Sequence, residues 1–121
     1  MATVYIAPTA QGLGNGTSEA NAYAFSYLST AETEAGAGGT ILFTDGDYTI
    51  TGTTLLDGVG SSGNNITYQS LNSKGAVIKS NTSGTLRQIT VGSTGNTSNI
   101  NVKNFKFIDC KIRISQGGNI D

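Results

Sequence analysis

The chain has 121 residues, a formal net charge of −1, one cysteine and no histidine. A single domain is expected at this length, and an internal disulfide, a histidine-based catalytic triad and a histidine-ligated zinc site are excluded from this chain. Glycine, serine, threonine and asparagine make up nearly half of the sequence, and short clusters of isoleucine, valine, phenylalanine and tyrosine interrupt them. This pattern is typical of short strands separated by turns.

Residues 1–38 are predicted to form a cap at one end of the domain. A short strand at residues 3–6 precedes a glycine-rich loop at residues 11–17 and a single helix at about residues 29–36, for which an extra turn before residue 29 is the alternative. The sequence does not open with a basic segment followed by an apolar stretch. We therefore predict neither a signal peptide nor a membrane span.

The predicted helix has sequence signals at both ends. Ser29 and Glu32 have the spacing of a capping box, and Gly36 supplies a C-terminal stop. One face of this helix is apolar and is expected to cover the first coil of the domain; it consists of Leu28, Ala31 and Ala35.

Short strands are predicted throughout residues 39–121. Turn residues separate them, and a longer loop covers residues 57–64. The strands are expected at residues 40–43, 48–51, 65–70, 76–80, 87–91, 99–103, 105–107 and 110–114.

Branched apolar residues recur within these strands in two interleaved series. The first series is Ile41, Ile66, Ile89 and Ile112, at nearly equal spacings. The second series is Ile50, Val77 and Ile100, at similar spacings. Two series at one period predict a solenoid, in which each period is a coil that stacks on the previous one. We therefore expect the isoleucines of successive coils to stack in the interior.

Charge is distributed unevenly along the chain. Residues 1–73 hold six acidic and no basic side chains, whereas residues 74–121 hold all seven basic side chains and two acidic ones. In a solenoid, position in the sequence corresponds to position along the solenoid axis, so the charge is expected to change sign along that axis. The candidate surface for an acidic glycan or a partner protein is a basic strip on the last coils, and the alternative is a solvated face. The strip consists of Lys103, Lys106, Lys111 and Arg113.

Two further motifs have both a chemical and a structural interpretation. Asp45 and Asp47 offer oxygen ligands or a carboxylate pair, but a tight turn explains them more simply. The G-x-G-x-x-G motif at Gly58–Gly63 precedes a predicted strand instead of a helix, so we interpret it as a loop, like Gly12–Gly16.

The cysteine and the aromatic residues are open to similar alternatives. Cys110 alternates with apolar neighbours and is expected to point inward. The aromatic residues either offer sugar-stacking platforms or pack around the cap. They are Tyr5, Tyr23, Phe25, Tyr27, Tyr48 and Tyr68.

A series of segments occurs in an order shared with one structural family. The cap and first coil are represented by Val4–Pro8, Gly14–Ser18, Asn21–Tyr23, Leu28–Ala31, Ala35–Gly36, Gly39–Ile41 and Gly46–Ile50. The next coils are represented by Asn65–Gln69 and Asn99–Phe107. Over nearly its whole length the chain resembles the N-terminal part of right-handed parallel β-helix proteins. The resemblance implies an all-β fold, a right-handed parallel β-helix of about three to four coils with one short N-terminal capping helix.

We therefore expect one domain over residues 1–121, with a cap at residues 1–38 and coils at residues 39–121. Nothing in the sequence resembles a second cap after the last coil. An open coil exposes apolar area and unpaired strand edges. The coils are accordingly expected either to continue into a longer solenoid or to be covered by a partner subunit.

The family opening is shared by polysaccharide lyases of the alginate and chondroitin type, by bacterial surface proteins and by bacteriophage tailspike-like proteins. In the lyases, a basic pair and calcium-binding Asn and Glu residues lie on later coils, but residues 74–121 contain no glutamate onto which such a site could be carried. The resemblance therefore favours a non-enzymatic structural module of a virion protein, such as a tailspike or tail fibre. The alternatives are the N-terminal part of a polysaccharide lyase, with its active site on coils missing from this chain, and a carbohydrate-binding or adhesive surface module.

These expectations extend to partners and location. A virion protein made in the host cytoplasm needs no signal peptide, whereas the alternative functions imply secretion or a cell-surface position. Phage β-helix proteins are typically trimeric or held by neighbouring subunits, which implies self-association, and acidic polysaccharide is a further partner. We predict no cofactor and no membrane association. A nucleic-acid partner is not expected either, because the basic residues are spread singly along the chain and only Phe105 and Phe107 lie among them.

Overall fold

The computed structural model describes residues 2–52, 54–56, 65–91, 100–114 and 118–120. It contains one α-helix, α1 (Leu28–Ala35), and two single turns of 3₁₀-helix at Glu19–Asn21 and Phe25–Tyr27. The strands are β1 (Thr3–Ala7), β2 (Tyr23–Ala24), β3 (Thr40–Phe43), β4 (Gly46–Ile50), β5 (Thr54–Leu56), β6 (Ile66–Ser70), β7 (Ala76–Ser80), β8 (Arg87–Val91), β9 (Ile100–Lys103), β10 (Lys106–Ile108), β11 (Cys110–Ile114) and β12 (Gly118–Ile120).

The strands form three parallel sheets that wrap around one interior. Sheet A has the order β12-β9-β6-β3-β1-β2, sheet B has the order β10-β7-β4, and sheet C has the order β11-β8-β5. Each full coil contributes one strand to each sheet: β3–β5 form coil 1, β6–β8 form coil 2 and β9–β11 form coil 3. The predicted all-β fold, a right-handed parallel β-helix with one short capping helix, is confirmed.

The predicted stacking of the first isoleucine series is correct for its last pair and wrong for the others. Ile89 and Ile112 are paired in sheet C, as predicted. Ile41, however, is paired with Tyr68 in sheet A, and Ile66 is paired with Ile100 in the same sheet. The first series therefore crosses from one wall of the solenoid to another, because each coil has three strands and the coils differ in length.

The second apolar series fails for the same reason. Ile50 is paired with Ser80 in sheet B, and Val77 is paired with Asp47. Ile100, the last member of the series, lies in sheet A. The similar spacings of this series in the sequence thus arise from different combinations of strands and turns. They do not correspond to the length of one coil.

In β3, β6 and β7, alternate side chains point into the solenoid. In β6, Ile66, Tyr68 and Ser70 are buried, whereas Thr67 and Gln69 lie between them and are only partly covered. The largest fully buried side chains include Tyr48, Tyr68, Phe43, Ile6, Ile41 and Leu56. The core is therefore continuous from the cap through the coils.

Helix α1 covers one end of this core. Ala31 and Ala35 are completely buried, and Leu28 packs against the core, which confirms the predicted apolar face. The predicted capping box is not formed: α1 begins at Leu28 directly after a 3₁₀ turn, and Tyr27 at the N-cap makes no side-chain capping bond. The predicted stop is confirmed, because Gly36 has a φ of +66° and its N–H donates to the Glu32 carbonyl at 3.1 Å.

No helix among the described residues is long and apolar enough to cross a membrane.

Tyr48 links the cap strand to coil 1 from inside the solenoid. Its side chain is 1% exposed, and its hydroxyl lies 2.7 Å from the Thr44 carbonyl oxygen and 3.0 Å from the Ile6 carbonyl oxygen. Burial disfavours the phenolate and raises the pKa of Tyr48 to about 12. The buried hydroxyl therefore stays protonated at a pH at which an unfolded tyrosine ionises.

We expect the folded state to lose stability between about pH 10 and pH 12 because of Tyr48. Its pKa is raised in the folded state, so its contribution is complete below the unfolded value of 10.0 and is lost as pH rises through about 12. Denaturant unfolding of the wild type and Tyr48→Phe across this range measures the effect. The decline should be shallower in Tyr48→Phe, and an equal decline in both proteins would contradict the assignment.

Candidate functional site

The structure distributes the four predicted basic residues over three faces of the solenoid. Lys103 lies in β9 of sheet A and Lys106 lies in β10 of sheet B. Lys111 and Arg113 share β11 of sheet C. Lys106 and Lys111 are exposed, and Lys103 is half-buried. Alternation along strands predicts which residues point outward, but the three sheets face different directions, so these residues do not form one strip.

Asp45 and Asp47 hold different partners in coil 2 and do not act as a carboxylate pair. Asp45 lies in the turn between β3 and β4, where both carboxylate oxygens accept hydrogen bonds from Asn72 Nδ2 at 3.0 and 3.1 Å. Asp47 lies on β4 and forms an ion pair with Lys79 at 3.3 Å. The turn interpretation therefore fits Asp45. No group of three or more His, Cys, Asp or Glu side chains suited to a metal ion occurs within the described ranges.

Two further carboxylates also join separate parts of the solenoid. Asp109 lies in the turn between β10 and β11, and its carboxylate accepts a hydrogen bond from the Gly84 N–H of coil 2 at 3.2 Å. The backbone carbonyl of Asp109 accepts the Arg87 N–H at 3.0 Å. Glu32 of α1 accepts a hydrogen bond from the Tyr68 hydroxyl of coil 2. Carboxylates thus connect the cap to coil 2 and coil 2 to its neighbours.

Cys110 points inward, as predicted, but its neighbour Ile108 does not. The thiol lies 3.3 Å from the Ile78 carbonyl oxygen and packs against the core, and burial raises its pKa. Ile108 is 40% exposed. The alternation changes phase between them because Asp109 has a left-handed backbone, with φ of +53°. A thiol with a raised pKa is a weak nucleophile at neutral pH.

The six aromatic residues considered as sugar platforms separate into buried and surface sets. Tyr48 and Tyr68 are completely buried, and Phe25 packs against the core. Tyr23 and Tyr27 stack on each other at the surface, with ring centroids 5.9 Å apart and ring planes at 17°. Tyr5 in β1 is half-buried. Packing around the cap therefore explains the first set. Tyr23 is partly buried and also packs against the core, whereas Tyr27 is 55% exposed.

The stacked tyrosines line a groove on the cap with a volume of about 250 Å³. The Tyr23 hydroxyl donates to the Glu34 carboxylate, with both oxygens at 2.9 Å. This hydrogen bond to Glu34 is the largest cause of the raised pKa of Tyr23. The groove is lined by Ala10, Leu13, Gly14, Tyr23, Ala24 and Tyr27.

Two other grooves, each of about 260 Å³, are more polar. One lies between the cap and coil 1, and its carboxylates are Glu19 and Asp45. The other lies beside the turn between β7 and β8 and contains Lys79, Asn81 and Asp109. The contacts between coils already use Asp45, Lys79 and Asp109. The charged side chains of these two grooves therefore belong to the contacts that hold the fold together.

One of the two glycine-rich motifs lies among the residues that the structure describes. Gly12–Gly16 is a loop, as predicted, and it forms one side of the aromatic groove. The motif at Gly58–Gly63 lies outside the described residues. Sequence reasoning missed the groove because neither the loop nor the tyrosines alone suggest a site. The sequence signal that could have indicated the groove was Leu13, a large apolar residue between two glycines.

Comparison with solved structures shows a similarity to the crystal structure of pectate lyase Pel9A. The TM-score is 0.59 at 20% sequence identity, and the alignment covers 91% of this chain. The chain corresponds to 27% of the length of the lyase. The sequence matches no protein-family model and no curated protein. At this identity the similarity concerns the fold, and it identifies this β-helix as similar to that of a polysaccharide lyase.

Proposed function

We propose that this chain is a non-enzymatic structural module, the capped part of a β-helix protein. The observation that supports the proposal is the use of its carboxylates. Four of them contact a group in a different coil or in the cap, so acidic groups that could perform chemistry serve as connections between layers. They are Glu32, Asp45, Asp47 and Asp109. The function of such a module is to cover the end of the core and fix the coils in register.

The cap is attached to two coils, which suits this role. Ala31 and Ala35 of α1 are buried against the core, and β1 pairs with β3 of coil 1. Tyr68 reaches from coil 2 to Glu32 on the helix. A solenoid coil cannot bury its apolar face alone, so an end cap protects both core and strand edges.

The connection between Tyr68 and Glu32 provides the test of this role. Tyr68→Phe keeps the buried ring but removes a hydrogen bond to a charged acceptor, so we expect the free energy of unfolding to fall by about 1.5 to 3 kcal/mol. Glu19→Gln, which changes an exposed carboxylate, is the matched control and should have an effect within about 0.5 kcal/mol. Denaturant titration measures both. Equal stability of Tyr68→Phe and the wild type would oppose the proposal.

The setting we propose for this module is a virion protein, a tailspike or tail fibre that assembles with other subunits. The support is the resemblance of the cap and first coils to phage β-helix proteins, whose members are typically trimeric. Glycan contact by Lys103, Lys106, Lys111 or Arg113 remains part of this proposal, with separate faces in place of one strip. Light scattering of the purified chain should give the mass of a trimer, and a monomer at all concentrations would argue against assembly by this part alone.

A second candidate is the N-terminal part of a polysaccharide lyase. The similarity to a pectate lyase over 91% of this chain favours it, and the chain corresponds to only 27% of that enzyme. Incubation with polygalacturonate, alginate and chondroitin, followed by ultraviolet absorbance, tests this chain for lyase activity. Unsaturated product would overturn the non-enzymatic proposal and establish the lyase. The lyase candidate has its active site on later coils, so the observation that would favour it is a native chain that continues with clusters of Lys, Arg and Glu on those coils.

A further inference from the structure

Two of the exposed large apolar side chains lie at the same groove on the cap. Leu13 is 80% exposed and Tyr27 is 55% exposed, and both line the groove of about 250 Å³ described above. Single exposed apolar residues are common on proteins, but adjacent ones rimmed by polar groups mark binding sites. The groove is smaller than those that hold drug-sized ligands, so its size suits one small ring.

The loop that contains Leu13 exposes this side chain to solvent, and hydrogen bonds hold the loop in place. The Leu13 N–H donates to Asn21 Oδ1 at 2.9 Å, and the Gly16 N–H donates to the Asn21 carbonyl at 2.7 Å. The Gln11 N–H donates to the Ala22 carbonyl at 3.0 Å. The groove is therefore formed before any ligand arrives, which lowers the entropic cost of binding.

The ring of Tyr23 is held in place by its neighbours, and Tyr27 stacks on it. Gly16 has a φ of +73°, and a Cβ atom at this position would lie 2.6 Å from the Tyr23 ring, so backbone packs directly on that ring. Tyr27 stacks on Tyr23, and Glu34 holds the Tyr23 hydroxyl. The more exposed ring of the pair, Tyr27, thus presents an oriented apolar surface to the groove.

The groups at this groove match the two chemical faces of a sugar. An aromatic ring packs against the C–H groups of a pyranose. Glu34 does not line the groove itself, but its carboxylate lies 2.9 Å from the Tyr23 hydroxyl and retains lone pairs that can accept hydroxyl hydrogen bonds. Residues 1–73 carry six acidic and no basic side chains, so the surroundings disfavour an anionic sugar. We propose that the groove between Leu13 and Tyr27 binds a neutral hexopyranose unit of an oligosaccharide. This site goes beyond the capping role and does not depend on it.

Titration calorimetry with three neutral hexasaccharides, of β-1,4-linked glucose, mannose and galactose, tests the proposal. At least one should bind the wild type, and Tyr27→Ala should weaken it by about tenfold or more, as expected for the loss of a ring contact. Leu13→Ala should weaken binding by a smaller factor. Both side chains are largely exposed, so both variants should keep the thermal unfolding temperature of the wild type.

Leu86→Ala is the matched control, because Leu86 is 65% exposed but does not line the groove. Its affinity for the neutral hexasaccharide should equal that of the wild type. Hexagalacturonate should bind more weakly than the neutral sugar, and the difference should shrink in Glu34→Gln. Failure of all three neutral sugars to bind, equal binding by Tyr27→Ala, or a preference for hexagalacturonate would overturn the proposal. These outcomes leave the unfolding test of the capping role unaffected.

Discussion

Phe43→Ala is expected to lower the free energy of unfolding by about 4 kcal/mol, within the usual range for a buried phenylalanine. Phe43 is fully buried in β3 and makes edge-to-face contacts with three other rings. The centroid distances are 6.2 Å to Phe25, 5.3 Å to Tyr48 and 4.9 Å to Phe105. These rings belong to the cap, coil 1 and coil 3, so truncation of Phe43 opens a cavity where all three meet.

The size of this effect demands a milder variant as well. Small domains have a total stability of about 5 to 15 kcal/mol, so Phe43→Ala is expected to leave a margin as small as about 1 kcal/mol, which a denaturant titration measures poorly. Phe43→Leu keeps most of the volume and should cost about 1.5 kcal/mol. Leu86→Ala, at an exposed position, should change stability by no more than about 0.5 kcal/mol. Denaturant unfolding of all three measures the order, and an effect of Phe43→Leu as small as that of Leu86→Ala would contradict a central role for the ring cluster.

Most strands could be predicted from the sequence, because isoleucine, valine and tyrosine alternate with polar residues between turns. Strands β3, β7, β8 and β11 have the predicted bounds. Strand β5 was missed, since the segment Thr54–Leu56 is too short to show alternation. Without β5, coil 1 shows only two strands in the sequence, and the apolar period is then assigned to the wrong repeat.

Strand pairing could not be predicted, because it depends on the turns. Coil 2 passes from β7 to β8 through residues 81–86, whereas coil 3 passes from β10 to β11 through Asp109 alone. Turns of such different length still bring Ile89 and Ile112 into register. Apolar spacing therefore indicates that a solenoid forms, while the partner of each residue follows from how the turns are folded.

The candidate site shows the same division between local pattern and tertiary arrangement. Composition placed Lys106 and Lys111 in a predicted basic surface strip, and both are exposed. It did not indicate that β10 and β11 belong to different sheets. The stacking of Tyr23 on Tyr27 depends on a 3₁₀ turn at Phe25–Tyr27, which has no strong sequence signal. The sequence therefore identified exposed side chains that could bind a ligand, whereas the fold determines which of them lie close enough to act together.

Gly39→Ala is the second change expected to have a large effect, because Gly39 sits buried between the end of α1 and β3. A Cβ atom at this position would overlap the Ala35 carbonyl group and lie 2.7 Å from the Ala2 carbonyl oxygen. Neither carbonyl can shift easily. The Ala35 carbonyl accepts the Ala2 N–H at 3.2 Å, and the Ala2 carbonyl accepts the Thr40 N–H at 2.9 Å.

Relief of the overlap at Gly39 requires the helix to move away from the coil that it covers. We expect Gly39→Ala to lower the free energy of unfolding by about 3 kcal/mol or more, at the upper end of the range for overpacking. Gly52→Ala is the matched control: a Cβ atom there meets no atom of the described residues within 4 Å, and the backbone is not left-handed. Because alanine restricts the unfolded chain, this control should be neutral or stabilising by about 0.5 kcal/mol. Denaturant unfolding of the pair then distinguishes a steric effect at the cap from a general cost of replacing glycine, and similar stability of the two variants would show that α1 does not need this close contact.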